Sequence, residues 1–180
     1  MPLVKPTIVT RAQWGARQAD VALYDATNET DLAKIYTRLT VHHEARPAPE
    51  RMTLEQGKAR MREIQAQHQA QGWSDVGYHY VIDRAGRIYS ARTLFGPGAH
   101  VAGRNTGNLG ICLMGALHQQ PPTLAQVESL IDLMAWFCHR LSISPDQIQG
   151  HRDHLATECP GEHLYRMLPE IRTQVRLLLP

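Results

Sequence analysis

The chain has 180 residues, 43% of them hydrophobic and 20% charged, with a formal net charge of +2. That length suits one domain with a sizeable core and leaves little room for a second. So small a charge gives no basis for nucleic-acid binding, no apolar run reaches membrane-spanning length, and three cysteines do not make a disulfide framework. The first residues, MPLVKPTIVTRAQWGAR, lack the apolar centre of a signal peptide. The expectation is a chain made in the cytoplasm without its own leader. No exposed heptad seam is visible, so a monomer is expected.

Residues 1–34 read as an irregular N-terminal segment with a short helix near Arg11–Ala16, ahead of a core at 35–180. Asn28-Glu29-Thr30 is a glycosylation sequon, read as chance. Ile35–His42 alternates, with Ile35, Thr37, Leu39 and Val41 on one face, which predicts a strand. The prolines of HHEARPAPE stop it. Thr53-x-x-Gln56 is a capping box, followed by Leu54, Gly57, Met61, Ile64 and His68 at helical spacing, so a helix runs to about Gln71. Tyr78–Asp83 and Ile88–Ala91 flank Gly86 and read as a hairpin. Asn108–Gly115 is nearly all apolar, which predicts a central strand. Thr123-x-x-Gln126 opens a second long helix. A short strand near Gln147–Gly150 and a last helix over Glu162–Leu178 complete the order. The pattern predicts an α/β fold: a single domain, with a central mixed β-sheet flanked by about three main helices. His42 then ends one strand and His151 follows another, and ligand sites collect at such strand ends.

Ten histidines make the chain rich in that residue. GHRDHLATECPG, residues 150–161, sets His151 eight residues before Cys159. With His42 these are two imidazoles and a thiol, a donor set for zinc with one open position. Spacing alone leaves two readings, unrelated loop residues or a metal site. His43 points to the face opposite His42. His154 and His163 read as outer partners of the site or as solvated groups. Cys112 and Cys138 read as small buried hydrophobes, and His68 as a structural histidine with a hydrogen-bond partner.

VTRAQWGAR, VHHEA, IQAQHQAQGWSDVGYHYVIDRAGRIY, GAHVAGRNTGNLGICLMG and GHRDHLATECPG occur in that order. Together they resemble the zinc-dependent N-acetylmuramoyl-L-alanine amidases of type 2. That group includes small phage lysozyme-amidases and the peptidoglycan recognition proteins. The similarity runs from about residue 8 to residue 170. It implies one Zn2+ held by His42, His151 and Cys159, with the zinc site at the strand ends. It implies Tyr78 as a catalytic residue beside the metal and Thr157, two residues before the ligand Cys, as a second catalytic group. His100 of GAH falls near the substrate cleft. His43, His79, Arg92, Arg104 and Asn108 join it as candidate substrate-binding residues, the arginines as carboxylate clamps and His79 or His100 as alternative proton carriers to Tyr78.

The reaction implied is hydrolysis of the amide between N-acetylmuramic acid and L-alanine, with peptidoglycan as the partner, in the periplasm or outside the cell. A phage endolysin or an antibacterial effector is the expected setting, with an exported housekeeping amidase as the alternative. The alternative class is a non-catalytic recognition module. Such modules typically lack the Cys ligand, which is present here. Three departures stand out. A Glu used by cytoplasmic recycling amidases on the central strand is replaced by Cys112, which places the chain with the Tyr-using branch. Glu44 follows the histidine pair where Ser or Thr is common, and is expected to face solvent. Thr93-Leu94 ahead of GAH matches neither common pair that sorts diaminopimelate from lysine. Trp14 and Trp73 are read as scaffold.

Overall fold

The computed structural model describes residues 3–20 and 29–180. Asn28 of the sequon lies outside the described residues. The described part of the N-terminal segment carries regular structure. Strand β1 (Ile8–Val9) leads into helix α1 (Arg11–Trp14), closed by a capping box between Thr10 and Gln13. The Trp14 indole N–H donates to Ser90 O at 2.7 Å from a fully buried ring. Helix α2 (Leu32–Ile35) follows, with Asp31 accepting from Ala33 N–H. This capped turn takes Ile35 out of the expected strand, so β2 runs Arg38–His43.

Helix α3 (Leu54–Ala70) carries the Thr53–Gln56 capping box. Strands β3 (Tyr80–Ile82) and β4 (Ile88–Ser90) form the antiparallel hairpin, and β5 (Asn108–Leu113) is buried at every position. Helix α4 (Leu124–Leu141) has the Thr123–Gln126 capping box, and β6 (Ile148–Gly150) precedes the His151 loop. The expected last helix is two: α5 (Glu162–Tyr165) and α6 (Leu168–Leu178). Pro169 explains the break. It has no N–H to give, and its ring would clash with the carbonyl four residues earlier.

The strands form one mixed sheet in the order β1-β4-β3-β5-β2-β6, parallel except for the hairpin. β5 is central, as its unbroken apolar run requires. β1 extends the sheet edge, so the N-terminal segment belongs to the same unit as the core. Alternation along β2 divides the molecule. Leu39 and Val41 join Ile111 and Leu113 in the larger core under α4 and α6. Cys112 joins Val81, Met61 and Ile64 in the smaller core under α3. His42 lies beside Cys112 in the sheet register. The α3 face of the sheet therefore carries the histidine, at the C-terminal ends of parallel strands.

Candidate metal centre

β2 and β6 pair in parallel through Leu39–Val41, so both end at the same edge. His42 sits near the end of β2, and His151 follows Gly150 at the end of β6. The loop from His151 then returns to the site. Arg152 N–H donates to Cys159 O at 2.9 Å and pins the two arms together. Asp153 accepts from Gly150 N–H at 2.7 Å and from the Tyr165 hydroxyl at 2.6 Å. The Arg152 guanidinium donates to Glu162 and to Glu158 O, each at 2.7 Å.

The result is a cluster in which one donor atom each from His42, His151 and Cys159 lies within 4.8 Å of the others. His42 Nδ1 is 3.6 Å from Cys159 Sγ, and the His42 and His151 ring centroids are 4.6 Å apart. The Nε2 of His151 is buried and has no hydrogen-bond partner among the described residues. Leaving such an atom bare costs about 1–3 kcal/mol. Burial depresses the pKa of His42 well below the usual histidine range, helped by His100 and His151, and burial also lowers His151. Neutral imidazoles are the ligand form. Burial pushes the Cys159 thiol up to about 12, against a backbone N–H from His43 at 3.5 Å. A sulfur so placed becomes a thiolate at neutral pH when a cation is beside it. The bare nitrogen and the two-imidazole, one-thiol donor set fit zinc.

Tyr78 stands just before β3 with its ring centroid 5.1 Å from that of His42. The Cys112 thiol lies close to its hydroxyl. Burial, then the neighbouring Cys112 and Cys159, raises the phenol well above its ordinary pKa, so it keeps its proton. His68 of α3 backs this turn. Its Nδ1 accepts from Gly77 N–H at 3.0 Å, and its ring lies 4.7 Å from Trp73 and 5.7 Å from Tyr78. A cleft of about 340 Å³ opens beside His151, walled by Trp73, His100, Val101 and Leu155. Trp73 is thus a wall of the cleft as well as scaffold.

The N-acetylmuramoyl-L-alanine amidase family model matches residues 33–162. The chain belongs to that family. Peptidoglycan-recognition protein SC2 of Drosophila simulans is 32% identical over 169 residues, 93% of this chain and 85% of that protein. The human N-acetylmuramoyl-L-alanine amidase is 32% identical over 166 residues, 91% of this chain, which spans 28% of the human protein's length. Among solved structures, a mutant of Drosophila PGRP-LB in complex with tracheal cytotoxin superposes with a TM-score of 0.78 at 28% identity, covering 89% of this chain and 92% of that one.

The remaining residues singled out in this amidase-family chain divide into those at the cluster and those that hold it. Thr157 is exposed, and its Oγ1 accepts from Cys159 N–H at 3.2 Å. That bond orients the hydroxyl beside Cys159 and leaves its own O–H to donate. His100 lies against the site, with Nδ1 at 3.0 Å from His42 Nε2 and Nε2 at 3.1 Å from Asn108 O. Asn108 is fully buried; its Oδ1 accepts from Thr40 at 2.7 Å and its Nδ2 donates to Arg104 O at 3.0 Å. The Thr40 hydroxyl in turn lies 2.9 Å from His154 Nε2. Asn108 thus supports the cluster from below.

Several expectations need correction. His79 is not placed to carry protons for Tyr78. It is fully buried, its Nδ1 accepts from Gly110 N–H at 3.0 Å, and its Nε2 faces the Tyr36 hydroxyl at 3.0 Å. Arg92 is not placed to clamp a substrate carboxylate. Its buried guanidinium donates to Val76 O, Pro97 O and Ser74 Oγ, fixing the loops beneath the cleft. Glu44 does not face solvent. Its side chain is 6% exposed and pairs with Arg60 at 2.7 Å. Burial raises its pKa against the opposing Arg60. Strand alternation put it on the His42 face, under α3, where Arg60 waits. His43 points the other way, its Nδ1 accepting from Leu117 N–H at 3.0 Å. Arg104 is exposed on the loop before β5. Sequence reasoning passed over Asn105, whose Oδ1 accepts from both His100 and Val101 N–H at 2.9 Å. Its position before Thr-Gly is turn chemistry, which was the available signal.

Proposed function

We propose that the chain is a zinc-dependent N-acetylmuramoyl-L-alanine amidase, hydrolysing the amide that joins N-acetylmuramic acid to L-alanine in peptidoglycan. The observation that carries this reading is the convergence of His42, His151 and Cys159 beside Tyr78, with His151 lining an open cleft. Family membership supplies the substrate class. An amide is a poor electrophile and water a weak nucleophile at neutral pH. Zinc bound there supplies Lewis acidity, polarising a carbonyl and lowering the pKa of water toward ~7.

The chain's own residues do the rest. Tyr78 keeps its phenolic proton beside the cluster and donates it to the oxygen that gathers charge, or passes it to the departing amine and takes back the proton that the attacking water gives up. The Thr157 hydroxyl, oriented by Cys159 N–H, offers a second donor on the exposed side. Trp73 and Leu155 wall the cleft that receives the stem peptide. His43, Asn108, Arg92 and His79 keep these groups in place through bonds to backbone and core. The setting we assign is lysis of cell wall outside the cytoplasm, by an endolysin or antibacterial effector acting as a monomer. Freeing stem peptides removes the cross-links that carry the wall's load.

The test is release of new amino termini from purified peptidoglycan. The reading expects release by the wild type, loss on chelation, recovery with added zinc, and none from Cys159→Ala under any condition. Metal-independent release, or release by Cys159→Ala equal to wild type, would remove zinc from the reaction.

A further inference from the structure

The His42 ring can serve as a ligand through Nδ1 only if that nitrogen carries the lone pair and Nε2 carries the hydrogen. We propose that His100 is a positioning residue that fixes this tautomer of His42 through a hydrogen-bond chain ending on the Asn108 carbonyl. The inference rests on the zinc reading of the cluster and concerns a residue that does not itself touch the metal.

The chain follows from donors and acceptors alone. Asn108 O can only accept, and His100 Nε2 lies 3.1 Å from it. His100 Nε2 therefore carries a hydrogen, and the neutral ring presents a lone pair at Nδ1. That lone pair faces His42 Nε2 at 3.0 Å. His42 Nε2 must then be the donor, which leaves the lone pair on Nδ1, the nitrogen facing Cys159 Sγ. The other ring nitrogen of a metal-bound histidine is normally satisfied in this way by a partner that sets its tautomer. Here that partner is a second imidazole, anchored to the main chain of β5.

The protein has built a slot for that ring. A Cβ on Gly98 would stand 2.2 Å from His100 Cδ2, and one on Gly110 would stand 2.6 Å from it. Neither distance admits a side chain, so two glycines, one in the loop and one in β5, bracket the imidazole. Asn105 holds the His100 backbone from a third side. His100 is 7% exposed and meets His42 edge to face, with centroids 4.9 Å apart. Both its nitrogens are committed, so it is not a proton carrier. Nothing in the slot requires a histidine for packing; the two hydrogen bonds do.

The experiment reads the tautomer directly. Long-range nitrogen–carbon correlation spectra of the metal-free protein distinguish Nε2–H from Nδ1–H on each histidine. The expected wild-type result is Nε2–H on His42. His100→Leu is expected to let His42 populate the Nδ1–H form and to weaken zinc 10–100-fold in chelator competition. His100→Asn, which restores an acceptor near Nδ1, is expected to recover most of that loss. Gly110→Ala, which pushes the ring from its slot, is expected to resemble His100→Leu. Nδ1–H on His42 in the wild type would overturn the proposal whether or not the variants fold. So would unchanged zinc affinity in a folded His100→Leu. A wild type that binds no zinc would sink the functional reading, while the metal-free tautomer would still decide this one.

Discussion

His79 is the residue on which sequence and structure disagree most usefully, because acid tells the two roles apart. Buried with both nitrogens bonded, it is held neutral, and burial lowers its pKa from 6.5 to about 4. Between those values the unfolded chain binds a proton that the folded chain refuses. Stability from this group is therefore complete above pH 6.5 and is lost as pH falls toward 4. At 1.36 kcal/mol per unit, the loss is about 2 kcal/mol at pH 5 and about 3 kcal/mol at pH 4. His43 and His68, also lowered to about 4 by burial, push the same way. A His79→Gln comparison isolates the one proton. Urea unfolding of the zinc-free proteins at pH 7, 6 and 5 measures it, since only the slope with pH matters and not the variant's absolute stability. The wild type is expected to lose stability more steeply, by up to about 1.4 kcal/mol per pH unit. Parallel slopes, or an NMR titration of His79 near 6.5, would refute the assignment and return the residue to the list of proton carriers.

Tyr78→Phe is expected to retain zinc by elemental analysis and to lose turnover by roughly 10²–10³, the usual cost of one donor aimed at developing charge. Unchanged turnover would move the proton to another group. Thr157→Ala removes one exposed hydroxyl, and a smaller loss of about 1–3 kcal/mol in kcat/KM is expected, with KM nearly constant. A pure KM effect would make Thr157 a binding residue instead. Glu44→Ala removes the buried carboxylate that faces Arg60 and Arg46, and thermal unfolding should show a loss of about 3 kcal/mol with zinc content unchanged. Loss of zinc from a folded Glu44→Ala would mean that the carboxylate acts on the metal site itself.

The elements that were legible in the sequence were those whose signal is local. Period-two alternation marked β2, and capping boxes at Thr53 and Thr123 placed the starts of α3 and α4 to the residue. Two-residue β1 carries no such pattern, because an edge strand of that length is made by its partner β4 and not by its own periodicity. The His42–His151–Cys159 cluster was legible only as a motif: His42 and Cys159 lie 117 residues apart, and their approach depends on the pairing of β2 with β6. The place of Glu44 is legible in the same alternation, since the pattern that aims His42 at α3 aims Glu44 there too. The His100 relay was not readable. A hydrogen bond across 58 residues, from a glycine-lined loop to a strand end, has no signature in spacing.

The measurement that tests the central claim most directly is mass analysis of peptidoglycan fragments after incubation with the zinc-loaded protein. The account predicts free stem peptides beginning with L-alanine and glycan strands ending in intact lactyl groups, appearing only while the metal is present. Undigested peptidoglycan with the protein still bound, under conditions where zinc occupies the site, would contradict it and make the chain a recognition module.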